Sequence, residues 1–206
     1  MYWSGHRIAR LPIHSLPEHV VIKSSWGFGG RGTYLLSGTM DLVTGRNWNR
    51  VDLHRRLIQD LGPLQRFPYM AEEMQTTEEG VYAQGVEYNF YMFGDRIGAI
   101  MRVHRNRDKI IHYSVYTSDW TPITFPWLTS LKQGPAQPPP ASLAEMCKVA
   151  RCLGGAVGTF MRVDLYSTSK GVVFGEFSST PRSDKMSLLT DEFLGRIWED
   201  EIPEFI

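Results

Sequence analysis

Short apolar, β-branched and aromatic runs separated by turn residues recur along most of this chain, and the runs come in pairs. Residues 20–23, 33–36 and 40–43 are short apolar and β-branched runs that read as strands, with a glycine-rich loop after the first and a Ser37-Gly38 turn after the second. The pattern changes at 51–61, where Val51, Leu53, Leu57, Ile58 and Leu61 take helical spacing and Gly62-Pro63 stops the run. Residues 68–74 read as a strand and Glu78-Glu79-Gly80 as a loop. Residues 87–93 and 96–103 then flank Gly94-Asp95, a hairpin signature. The aromatic and threonine-rich stretch 112–131 keeps neither pattern, and 134–140 is a proline-rich spacer.

Ser142 with Glu145 predicts a capping box, and Leu143, Met146, Ala150 and Leu153 continue a helical stripe to Gly154-Gly155. Two further strands, 159–166 and 172–177, are joined by a turn at Ser169-Lys170-Gly171. Residues 1–18 are irregular and read as a lead-in. There is no internal repeat. Hairpins interspersed with a few helices make this an α+β chain rather than a βαβ repeat.

A length of 206 residues allows one large domain or two small lobes, either able to bury a core. Basic and acidic residues balance to a net charge of +0, which argues against broad attraction to nucleic acid or an acidic membrane. Cys147 and Cys152 lie on one predicted helix at a spacing that suits neither a disulfide framework nor a zinc site. No apolar run is long enough to span a bilayer, and the N-terminus lacks a signal-peptide core. The expectation is a soluble, cytoplasmic protein with no nucleic-acid partner.

Candidate chemistry begins at Lys23-Ser24-Ser25-Trp26-Gly27-Phe28-Gly29-Gly30-Arg31-Gly32. Gly27, Gly29, Gly30 and Gly32 allow a tight turn that aims several N–H groups at one point, and Lys23 adds a compact charge. A phosphate cradle and a plain glycine hairpin both fit. The formal G-x-G-x-x-G match does not make a dinucleotide fold, because 33–36 continues as a strand where that fold needs a helix.

The second constellation is Arg162-Val163-Asp164 followed by Glu176-Phe177-Ser178 across the last hairpin. Asp164 and Glu176 can face each other from neighbouring strands, and two unpaired carboxylates there would favour a shared cation, magnesium being the natural one. Arg162, two residues from Asp164, shares its side of the strand and could face a phosphoryl group. An ordinary Arg–Glu cross-strand pair is the competing reading. The chain offers no Ser-His-Asp or Cys-His arrangement, and its histidines lack zinc spacing.

Taken in order, these segments resemble the ATP-grasp superfamily, and within it the TupA-like proteins of polysaccharide and teichuronopeptide biosynthesis. The matching stretches are Leu16-Pro17-x-x-Val20-Val21-Ile22-Lys23, Tyr69-Met70-Ala71-Glu72-Glu73-Met74, Glu87-Tyr88-Asn89-Phe90-Tyr91-Met92-Phe93-Gly94-Asp95, Arg162-Val163-Asp164-Leu165-Tyr166 and Phe174-Gly175-Glu176-Phe177. The resemblance implies two α+β lobes with antiparallel sheets gripping ATP between them: a lead-in over 1–18, a small lobe over 19–70 and a large lobe over 71–206. It implies that Lys23 meets the α/β-phosphates and Gly27–Gly32 closes over the β/γ-phosphates. Glu72 or Glu73, with the backbone to Met74, would bind adenine, and Glu87 would reach the ribose or support the site. Asp164, Glu176 and Ser178 would hold Mg2+, and Arg162 would steady charge on the γ-phosphate or an acyl phosphate. Arg102, Arg105 and Arg107 are either an anion-binding group or surface charge.

The activity implied is ATP-dependent joining of a small-molecule carboxylate to an amine through an acyl phosphate. Three features depart from the family pattern. Lys23 is the first lysine, preceded only by Arg7 and Arg10 among Lys and Arg residues, which reads as a missing or truncated N-terminal domain. Ser178 stands where Asn is usual, and Pro181-Arg182 replaces Pro-Gly. A ligase, completed by a protein partner or a second copy, therefore stands beside a nucleotide- or partner-binding module without turnover and a phosphotransferase using the same site.

Overall fold

The computed structural model describes residues 1–25, 32–61, 67–83, 85–106, 109–179 and 185–201. The chain divides into two units, Met1–Gln84 with Asn106–Lys109, and Gly85–Arg105 with Ile110–Ile206.

The first unit contains β1 (Trp3–Gly5), β2 (His19–Ser24), β3 (Thr33–Ser37), β4 (Met40–Asp41), β5 (Arg46–Asn47), α1 (Arg50–Leu61) and β6 (Tyr69–Glu73). They form a sheet in the order β1-β6-β2-β3-β4-β5. Alternation sets its faces: Val20 and Ile22 are buried, while His19, Val21 and Lys23 are half-buried on the other side. Against the buried face pack Leu53 and Leu57 of α1, together with Ile8, Leu11 and Ile13.

Residues 1–18 are therefore part of this unit rather than a lead-in. Trp3 pairs with Ala71 at the sheet edge, and two short 3-10 turns, Ile8–Arg10 and Ile13–Ser15, put apolar side chains into the core. Those turns have no sustained period, which is why the segment looks irregular in sequence. The expected boundary at 70/71 falls inside β6, whose backbone pairs with both β1 and β2 and belongs with them. The strand expected over 40–43 ends at Asp41, because its buried carboxylate accepts bonds from the Val43 N–H (3.1 Å) and the Thr44 hydroxyl (2.6 Å) and turns the chain. The Gly62-Pro63 stop lies outside the described residues.

The second unit contains β7 (Glu87–Phe93), β8 (Arg96–Asn106), β9 (Lys109–Tyr116), β10 (Pro122–Ile123), α2 (Leu143–Val157), β11 (Phe160–Thr168), β12 (Gly171–Ser178) and α3 (Leu188–Glu201). Its sheet order is β10-β9-β8-β7-β11-β12. Helix α2 covers one face through Met146 and Ala150 against Phe90, Val163 and Leu165. Helix α3 and Trp127 cover part of the other, against Tyr91 and Phe93.

Three local expectations change here. The Ser142 hydroxyl makes no capping bond and lies 2.5 Å from the Ser167 hydroxyl of β11, so the predicted capping box does not form. Helix α2 runs through Gly154-Gly155 to Val157 and ends at left-handed Gly158 (φ 74°). Gly154 marks a close approach: a Cβ there would sit 2.4 Å from the Gly94 carbonyl oxygen. The stretch 112–131 holds the end of β9 and all of β10; Tyr113 to Tyr116 are buried on both faces, which erases the alternation. Helix α3 had no counterpart in the pattern, because Leu194 and Ile197 face inward while Leu188 and Leu189 stay exposed. No described helix is long and apolar enough to cross a membrane.

Candidate functional site

In the first unit, β2 and β3 pair antiparallel from His19↔Ser37 to Lys23↔Thr33, so the glycine loop joins two strands. That geometry excludes the helix-opening dinucleotide loop. Gly27, Gly29 and Gly30 lie outside the described residues; Gly32, with φ 76°, leads into β3. Lys23 stands opposite Met70 and diagonal to Glu72 on β6, and its ammonium pairs with the Glu72 carboxylate on the half-buried face. Glu73 is exposed at the strand end, and the Met74 side chain is buried. At the other end of β2, His19 stacks on Tyr82 with ring centroids 3.7 Å apart and hydrogen-bonds the Ser37 hydroxyl at 3.1 Å.

In the second unit, the β11–β12 hairpin sets Asp164 opposite Glu176 and Arg162 opposite Ser178. Val163 and Leu165 point into the α2 core, so Arg162 and Asp164 take the opposite face. Arg162 donates to both oxygens of Asp164, Nε to Oδ1 at 2.7 Å and Nη2 to Oδ2 at 2.5 Å. The same Nη2 donates to the Ser178 hydroxyl at 3.0 Å and lies 3.5 Å from Glu176 Oε1. The two side chains of the central pair are 11% and 5% exposed, whereas Glu176 is 63% exposed. This is more than an exposed Arg–Glu pair.

Burial pushes Asp164 up to about 6 despite the Arg162 hydrogen bonds and charge, and Glu87 and Glu176 push the same way. For Arg162, burial works against the charged form, but the bond and charge of Asp164, together with Tyr91 and Glu176, outweigh it and raise the guanidinium above its ordinary value. Glu87 accepts from the Tyr166 hydroxyl at 3.4 Å, across the β7–β11 pairing.

That pairing also brings in a residue the sequence did not single out. Asn89 on β7 is opposite Asp164, so Asn89, Asp164 and Glu176 form one row across three neighbouring strands. Asn89 is 2% exposed, and its Nδ2 has no hydrogen-bond partner among the described residues. The signal was a polar residue between Tyr88 and Phe90 in an otherwise apolar strand. Arg102 is opposite Tyr88 on β8, away from this row; the Arg105 side chain and Arg107 lie outside the described residues.

A glycine hairpin carrying a lysine in one α+β unit, and an Arg–Asp–Glu hairpin in another, define the ATP-grasp class of fold. The family described as TupA-like ATP-grasp matches residues 6–199, and the chain belongs to that family. No curated protein matches it. Among solved structures, an ADP complex of N5-carboxyaminoimidazole ribonucleotide synthetase is similar at 12% identity and a TM-score of 0.50, covering 88% of this chain and 40% of that one. D-alanyl-alanine synthetase A from Vibrio cholerae is similar at 10% identity and a TM-score of 0.48, covering 95% of this chain and 54% of that one. The chain thus spans roughly half or less of these enzymes' length.

The fold class implies magnesium, and the donors fit it. Asp164, Glu176 and Ser178 present oxygens that converge on one cationic nitrogen, Arg162 Nη2, so the site is already organised around positive charge. Among the described residues no group of three His, Cys, Asp or Glu side chains forms a metal site. Two carboxylates and a hydroxyl suit an ion that keeps waters and phosphate oxygens as its other ligands.

Proposed function

We propose that this protein is an ATP- and magnesium-dependent ligase that joins a small-molecule carboxylate to an amine. The observation that carries the reading is the convergence of Asp164, Glu176 and Ser178 on Arg162 in a chain of this family. Asp164, Glu176 and Ser178 would hold magnesium, which neutralises phosphate charge when bound. Arg162, released from Asp164 in that state, would stabilise charge on the transferring phosphoryl group. Lys23 and the loop 27–32 would bind the phosphates, and Glu72 with the β6 backbone would bind adenine; Glu87 would support the ribose.

In the reaction, a carboxylate oxygen bonds to the γ-phosphorus as the bond to the β-phosphate oxygen breaks and ADP leaves. The amine nitrogen then attacks the acyl carbon, phosphate departs with the C–O bond electrons, and the amine loses a proton. Such transfer depends on positioning and charge neutralisation more than on a protein nucleophile. We further propose a role in cell-surface polysaccharide or peptide-conjugate synthesis in the cytoplasm, with a protein partner or second copy completing the acceptor site.

The test is ADP and phosphate release across mixtures of carboxylates and amines, with Asp164→Asn and Glu176→Gln as controls. Substrate-dependent release that is lost in both variants is expected. Tight Mg-ATP binding with no release in any mixture would favour the non-catalytic module, and unchanged Mg-ATP binding in both variants would refute the site.

A further inference from the structure

Asn89 is buried, yet its amide nitrogen has no acceptor among the described residues. A buried amide kept for packing alone would be replaced without penalty by leucine, and one kept for the fold would carry partners. Its place in the register narrows the remaining choice. Asn89 and Glu176 flank Asp164 directly in the sheet, on the face away from α2. In the structure as it stands, Asp164 receives both of its charge-assisted bonds from Arg162.

A divalent cation on Asp164, Glu176 and Ser178 would occupy the oxygens that Arg162 Nη2 now contacts. Two cations cannot share those oxygens at hydrogen-bond distance without strong repulsion. Asp164 would then lose donors while still buried, and the spare amide of Asn89 is placed to supply one.

We infer that Asn89 is a positioning residue for the metal-loaded site: its Nδ2 donates to Asp164 once Arg162 has turned away, holding the carboxylate aimed at the metal. This rests on the ligase-site reading above. Outer hydrogen bonds to ligating carboxylates commonly set metal affinity in this way.

The experiment compares wild type, Asn89→Leu and Asn89→Ala with Asp164→Asn, measuring binding of ADP with magnesium and of ADP in EDTA, and the thermal midpoint without nucleotide. Asn89→Leu keeps the branched shape, if not the volume, and Asn89→Ala cannot overpack, so one of them will report on a folded chain. Expected for the Asn89 variants is Mg-ADP affinity weakened roughly tenfold, metal-free ADP affinity unchanged, and a thermal midpoint equal to or above wild type. Unchanged Mg-ADP affinity, or equal weakening with and without magnesium, overturns the inference while leaving the ligase-site reading intact. If magnesium does not strengthen ADP binding in wild type and Asp164→Asn has no effect, both fail together.

Discussion

Replacing Arg162 by methionine keeps most of the side chain's apolar length and removes the guanidinium that both oxygens of Asp164 use. In wild type, burial raises Asp164 from 3.8 to about 6. A folded-state pKa above the unfolded one means the folded chain binds the proton more tightly. The group therefore costs nothing below about pH 4, and costs stability as pH rises through the window to about 6. The shift corresponds to about 3 kcal/mol at neutral pH. Without Arg162, the hydrogen bonds and charge that oppose burial vanish, so the folded pKa climbs further and the window extends upward.

At pH 8, Arg162→Met should lose about 3–5 kcal/mol, the range for breaking a buried pair. At pH 5, Asp164 is largely protonated in both folded proteins and the loss should shrink. Adding Asp164→Asn should recover most of the loss at pH 8. Urea unfolding at pH 5 and 8 of wild type, both single variants and the double variant measures each quantity. A loss equal at the two pH values, or larger at pH 5, refutes the assignment of Asp164 as the buried charge that Arg162 compensates.

Mg-ADP affinity should fall as pH drops through about 6, because the Asp164 proton competes with the metal; titration calorimetry at pH 5, 6 and 8 checks this, and metal-free ADP should show a weaker trend. Lys23→Ala should change stability by less than about 1 kcal/mol, since its pair with Glu72 is partly solvated, while ADP affinity falls; thermal unfolding and binding measured together separate the two. Gly154→Ala should destabilise by about 1–3 kcal/mol through overpacking. A Cβ 2.4 Å from the Gly94 carbonyl and 2.9 Å from Met92 Cβ must displace backbone, which outweighs a gain in helix propensity of about 1 kcal/mol. Denaturant unfolding would expose the error if the variant were more stable.

Much of the fold was legible because its signals are local. Val20, Val21 and Ile22 form a β-branched run whatever the rest of the chain does, and Gly94-Asp95 closes a hairpin between its own flanks. The opposition of Asp164 and Glu176 is not of that class: the turn at Gly171 alone would carry Asp164 to Gly175, and a bulge after Leu165↔Phe174 shifts the β11–β12 register so that Glu176 faces Asp164 instead. Local rules erred where packing overruled them: Gly154 reads as a stop until its contact with Gly94 is seen, and Ser142 reads as a cap until its hydroxyl turns to Ser167.

What the sequence determined by itself, then, was the hairpins, the identity of the charged residues and the family they indicate. Only tertiary structure decided that Arg162 holds Asp164 and Ser178 together, that Glu72 holds Lys23, and that Asn89 completes the row beside Asp164. The physical reason is the connection between strands. β7 and β11 are joined in sequence through β8 to β10 and α2, so no turn links their registers; their pairing follows from burying Phe90, Val163 and Leu165 together under α2.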